Sequence, residues 1–108
     1  MKQWDVYMWK FPGADDHPAV IVSSPARITH KDDVNVLLCS SQRAGRSPKE
    51  HEVMLDSVDG LDWETLCKCD FLFAASKSDL VTKRGAVSPY RRRAIVAKIV
   101  QSMGWAGI

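Results

Sequence analysis

The stretch Val34–Gln42, VNVLLCSSQ, decides the fold. It is short and β-branched at its start, so it reads as a strand rather than a helix. In an extended chain Val34, Val36, Leu38 and Ser40 point to one face, and Asn35, Leu37, Cys39 and Ser41 to the other. Both faces are apolar for most of the length, which predicts a strand covered on both sides. The change to Ser40–Ser41 marks where the strand leaves the core. Small polar groups at such a strand end are well placed to touch a ligand, although the same residues also serve simply to begin a turn.

On the N-terminal side, Gln3–Phe11 alternates and reads as a first strand closed by Pro12–Gly13. Pro18–Ser24 is a deeply apolar second strand whose proline sits at its start. Pro25–Asp33 is a connection or a short helical turn. On the C-terminal side, Arg43–Glu50 is a basic loop carrying Arg43, Arg46 and Lys49, and His51–Asp56 alternates like a half-exposed strand. Asp59–Gly60 signals a turn, and Leu61–Glu64 fits one helical turn. Thr65–Ala75 reads as one strand, with Cys67, Cys69, Phe71 and Phe73 inward and Leu66, Lys68, Asp70 and Leu72 on the opposite face. Lys77–Val87 is polar, with a kink at Gly85 and room for a short last strand. The chain closes with a helix: Ser88 is the N-cap, Pro89 the first position, and Gly104 lies just past the end. Ile95, Val96, Ile99, Val100 and Met103 form its apolar face. The predicted fold class is mainly β (β plus α): a small, strongly bent antiparallel sheet or barrel with a C-terminal α-helix.

With 108 residues the chain has room for one core, so residues 1–108 are read as a single domain. A content of 45% hydrophobic and 26% charged residues excludes a disordered chain. The net charge of only +2 means that any nucleic-acid reading rests on where the charges sit. Met1–Phe11 lacks the apolar core of a secretory signal, and no run reaches the roughly 18 residues of a membrane span. The three cysteines are an odd number and read as reduced thiols in a cytoplasmic protein. A structural zinc needs about four ligands, which the scattered histidines do not complete, so neither metal nor cofactor is expected.

Four features carry candidate chemistry. Arg91, Arg92 and Arg93 fall in the first turn of the helix, where cations oppose its dipole; they make either a solvated face or an anion-binding edge joined by Arg43, Arg46 and Lys49. Lys68 and Asp70 lie side by side on one strand face, as an exposed ion pair or as an acid/base and phosphate-holding pair. His17 sits at the mouth of the second strand, where an imidazole titrates near neutral pH. Ser40, Ser41 and Gln42 stand at the end of the central strand.

These blocks, in this order, resemble the MazF/PemK/Kid toxins of bacterial type II toxin–antitoxin modules. The resemblance runs through WDVYMWKF, HPAVIVSS, VNVLLCSSQ, HEVML, GLDWETLCKCD and RRRAIVAKIVQSMGW. It implies an SH3-like β-barrel with a C-terminal helix, a homodimer, and a metal-independent endoribonuclease acting on single-stranded RNA, with an antitoxin blocking the RNA groove. The family usually has arginine where this chain has His17. Ser40 matches the serine or threonine that ends the central strand. The Arg-Cys-Asp of the Kid-like branch becomes Lys68-Cys69-Asp70, and the Gln-x-Arg-Thr that follows in many members becomes Phe71-Leu72-Phe73-Ala74. The implied catalytic set is His17, Ser40, Lys68 and Asp70. RNA binding falls to Ser41, Gln42, Arg43, Arg46, Lys49 and Arg91. The lost arginines leave a second reading, an SH3-like module that binds RNA or a protein without cleaving it.

Overall fold

A computed structural model describes residues 1–10, 13, 15–40 and 45–108. Among the described residues seven strands form: β1 (Asp5–Trp9), β2 (His17–Ile21), β3 (Asp33–Leu38), β4 (Glu52–Leu55), β5 (Thr65–Lys68), β6 (Phe73–Ser76) and β7 (Leu80–Ala86). Two helices join them, α1 (Pro25–His30) and α2 (Pro89–Ser102). One antiparallel sheet has the order β6-β3-β2-β1-β7, and β4 and β5 make a second. The central strand connects them. After Leu38 it bends away, and Cys39 bridges to Cys67 of β5. Ser40 N–H then donates to Leu66 O at 3.0 Å. The two sheets therefore wrap as one bent surface around a core closed by α2.

The alternation expected for the central strand holds. Leu37 and Cys39 enter the inner core with Val6, Val20, Leu55, Cys67, Cys69, Val87 and Ile95. Val34 and Val36 enter a second cluster on the other face with Trp9, Ala19, Ile21, Ile28, Ala75 and Leu80. Here α1 supplies Ile28; Ser24 caps that helix by accepting from Arg27 N–H at 3.3 Å, and Pro25 starts it. Of the two readings of this segment, connection or short helical turn, the helical one holds.

Thr65–Ala75 departs from the single strand expected. β5 and β6 do lie along the same edge of β3, but their registers differ. Cys39 faces Cys67 while Val36 faces Phe73, so three steps on β3 match six on its neighbour and three residues are extra. An odd insertion exchanges the two faces of a strand. Cys67 and Cys69 are buried as expected, yet Phe71 is 59% exposed and Phe73 packs on the outer cluster. Leu66, expected outward, is buried.

The one helical turn is also displaced. It forms at Ser57–Asp59 rather than Leu61–Glu64, because Asp56 and Asp59 close a reciprocal capping box and Gly60 ends the turn at φ 80°. β4, expected half-exposed, buries Glu52, Val53 and Leu55. Gly85 is needed for proximity: a Cβ there would lie 2.0 Å from Asp59 O. Ser88 holds the N-cap position of α2 without a side-chain cap; its N–H instead donates to Asp59 Oδ1 at 2.8 Å. Pro89 opens the helix and Gly104, at φ 72°, follows its end. The helix buries Ile95, while Val96 remains exposed.

Candidate functional site

His17 and Ser40 meet where the central strand bends. The β2–β3 register, Ala19 with Leu38, continues through Cys39 N–H donating to Pro18 O at 2.8 Å and so sets His17 opposite Ser40. His17 Nδ1 lies 3.2 Å from Cys39 O. A carbonyl only accepts, so Nδ1 carries the proton of this contact. Ser40 is fastened to β5. Thr65 Oγ1 donates to Ser40 O at 2.6 Å, Leu66 N–H donates to Ser40 Oγ at 3.1 Å, and the Ser40 and Thr65 hydroxyls are 2.9 Å apart. With its only proton given to the carbonyl, Thr65 accepts from Ser40. The serine is thus a structural rivet at the bend as well as a candidate ligand group.

Lys68 and Asp70 lie further along the same edge. Continuing the Cys39–Cys67 bridge by one residue sets Lys68 beside Leu38, on the face that carries Ser40 and His17. Both Lys68 and Asp70 are exposed. Asp70 belongs to the inserted residues, where irregular backbone re-aims side chains. Its Oδ2 lies 3.8 Å from His51 Nε2, a loose pair rather than a hydrogen bond. Leu66, opposite Ser40, precedes Asp70 by four residues, or about 13 Å at strand spacing. His17 and Ser40 thus form one locus, and Asp70 with His51 a second, with Lys68 between them. His51 escaped the reading of the sequence. Its only signal was its place at the start of an alternating strand, and the pairing of Cys69 N–H with His51 O at 2.9 Å is tertiary.

The cations expected at an anion-binding edge divide. Arg46 makes a bidentate pair with Glu52 at 2.6 and 2.9 Å, and this holds the buried Glu52 carboxyl down at about 2. Arg91 reaches Asp56 at 2.6 and 3.0 Å and Asp59 at 2.5 Å. Asp56 chiefly raises the Arg91 pKa, and Arg91 in turn lowers that of Asp56. Both guanidinium charges are thus neutralised within the chain. Arg92 Nε donates to Val87 O at 2.7 Å. Lys49 is exposed, and its backbone N–H donates to Glu52 Oε1 at 2.8 Å. Ser41, Gln42 and Arg43 lie outside the described residues.

Cys39, Cys67 and Cys69 are free and buried together. Hydrogen bonds to the Cys39 and Cys69 thiols, with burial, push the Cys67 thiol well up, which suits packing rather than nucleophilic attack. Among the described residues no group of three His, Cys, Asp or Glu side chains is arranged to hold a metal ion. No helix among them is long and apolar enough to cross a membrane.

The model of a family described as PemK-like, MazF-like toxin of type II toxin–antitoxin system matches residues 2–103. A mycobacterial endoribonuclease solved in complex with its cognate antitoxin superposes with a TM-score of 0.82 at 23% identity, covering 96% of this chain and 95% of its own. A MazF toxin of Mycobacterium tuberculosis superposes at 0.78 and 19% identity, over 93% and 96% of the two chains. A chain of a MazE–MazF structure from Deinococcus radiodurans superposes at 0.76 and 17% identity, over 98% and 97%. No curated protein shows significant similarity to the sequence.

Proposed function

Because the chain belongs to the PemK-like, MazF-like toxins of type II toxin–antitoxin systems, we propose that it is a metal-independent endoribonuclease that cleaves single-stranded RNA. The observation that carries this reading is that His17, Ser40 and Lys68 share one sheet face where the central strand bends, His17 from β2 and Lys68 from β5, with Asp70 two residues beyond Lys68. The RNA 2′-hydroxyl attacks the neighbouring phosphorus. The 2′-O–P bond forms and the P–O5′ bond breaks, which leaves a 2′,3′-cyclic phosphate and a 5′-hydroxyl. Asp70, with His51 beside it, takes the 2′ proton. Lys68 offsets the charge that develops on the phosphoryl oxygens. His17 Nε2 returns a proton to the departing 5′ oxygen, and Ser40 turns its hydroxyl proton from Thr65 to a phosphate oxygen.

The same reading carries a homodimer, a cytoplasmic site of action and a cognate antitoxin that covers the RNA face. The mycobacterial relative solved with its antitoxin supports the last of these. A binding module without cleavage is the competing reading. It is favoured by His17 standing where the family has arginine and by the internal neutralisation of Arg46 and Arg91. Incubation of a long single-stranded RNA with the protein in EDTA separates the two. Cuts at a recurrent short sequence, lowered about 10²- to 10⁴-fold by Asp70→Asn and by His17→Ala, support the ribonuclease. Intact RNA that nevertheless shifts on a gel supports the binding module.

A further inference from the structure

We propose that Phe71 is the exposed end of an aromatic platform on which one unpaired RNA base stacks beside the scissile phosphate. This rests on the ribonuclease reading and adds to it a subsite for a base. Phe71 is 59% exposed. It is not isolated. Its ring lies 4.7 Å from that of Phe73 at 55°, and Phe73 meets the buried Trp9 edge-on at 5.5 Å. The row Trp9–Phe73–Phe71 thus runs from the outer core to solvent, and the packed end braces the exposed one.

Its position points to RNA. Trp9 faces His17 across β1 and β2, and Phe73 faces Val36 across β3 and β6. The row therefore shares the sheet face of His17, Ser40 and Lys68. Phe71 follows Asp70 directly within the three inserted residues that bring both to the surface. Aromatic faces alternating with cations and titratable groups suit single-stranded nucleic acid, because every base offers a π-face and every linkage a charge. The exposed Asp70 precedes Phe71 directly and the exposed Lys68 lies two residues before that, so the ring stands beside charged groups.

The test compares wild type with Phe71→Ala, Phe71→Leu and Phe71→Trp. Fluorescent twelve-nucleotide probes are used: a single-stranded RNA carrying the mapped cleavage sequence with a 2′-deoxy block at the cut, and a series with the same backbone, each made abasic at one position. Circular dichroism first establishes that each variant is folded. Phe71→Ala and Phe71→Leu are expected to weaken binding of the intact probe about tenfold, with Phe71→Trp equal to wild type or tighter. At one abasic position the difference between wild type and Phe71→Leu should vanish. The slope of log affinity against log salt should be the same in all variants, because no charge has changed. Equal affinities of wild type and Phe71→Leu for the intact probe would overturn the platform and leave the ribonuclease standing. A loss in Phe71→Leu that persists at every abasic position would also overturn it. Failure of wild type to bind or cut any RNA, with Phe71→Ala instead weakening a protein partner, would remove both readings.

Discussion

Replacing Asp59 by alanine tests the junction that fastens α2 to the rest of the chain. Asp59 is 1% exposed. Its carboxylate accepts from Asp56 N–H at 3.0 Å, from Ser88 N–H at 2.8 Å and from Arg91 Nη1 at 2.5 Å. In Asp59→Ala the two backbone donors lose their acceptor, at roughly 1–1.5 kcal/mol each. Arg91 keeps Asp56 and is partly exposed, so the lost ion pair adds only about 0.5–1 kcal/mol. The expected total is about 3 kcal/mol. Urea unfolding followed by circular dichroism measures it. With a slope near ~1.5 kcal/mol per molar, the midpoint should fall by about 2 M. Asp59→Asn keeps one acceptor oxygen and should fall roughly half as far. A midpoint for Asp59→Ala within about 0.5 M of wild type would refute the claim that this carboxylate, rather than apolar burial, anchors the start of α2.

Gly85→Ala would place a methyl group 2.0 Å from Asp59 O, so the strand must move; we expect a loss of more than about 3 kcal/mol, and a melting temperature within a few degrees of wild type would contradict the packing. Glu52 has its folded pKa lowered from 4.5 to about 2, so the stabilisation is present above the unfolded value and is lost as pH falls through the folded one. Linkage alone gives ~3 kcal/mol at neutral pH, and screening around the 45%-exposed Arg46 side chain reduces this to roughly 1–2 kcal/mol. Wild type should therefore lose more stability than Glu52→Gln in urea titrations from about pH 5 to pH 2, and parallel curves would refute the pair. Ser40→Ala leaves Leu66 N–H without its side-chain acceptor and should cost about 1–2 kcal/mol, read by thermal melting; no change would show that the serine does not hold the bend.

The amino-acid order alone sets the central strand, its two buried faces, the proline that starts β2, the C-terminal helix opened by Pro89 and the exposure of Lys68 and Asp70. These follow from periodicity and from residue-specific backbone preferences, which are local. It also placed His17 and Ser40 at strand ends, and the register then set them opposite each other. Tertiary structure decided the rest. No local signal in TLCKCDFLFAA marks three inserted residues; the insertion exists because β5 and β6 pair with the same edge of β3 in registers three residues apart. That shift turns Phe71 outward and sets Asp70 beside His51. Likewise, a run of charges does not state its partners. Arg91 is read as a surface cation until Asp56 and Asp59, more than thirty residues away in the chain, neutralise it. Burial of Glu52 depends in the same way on Arg46 reaching back across the intervening loop. Periodicity reports which face a side chain takes within one uninterrupted element; register and ion pairing depend on which elements the fold brings together.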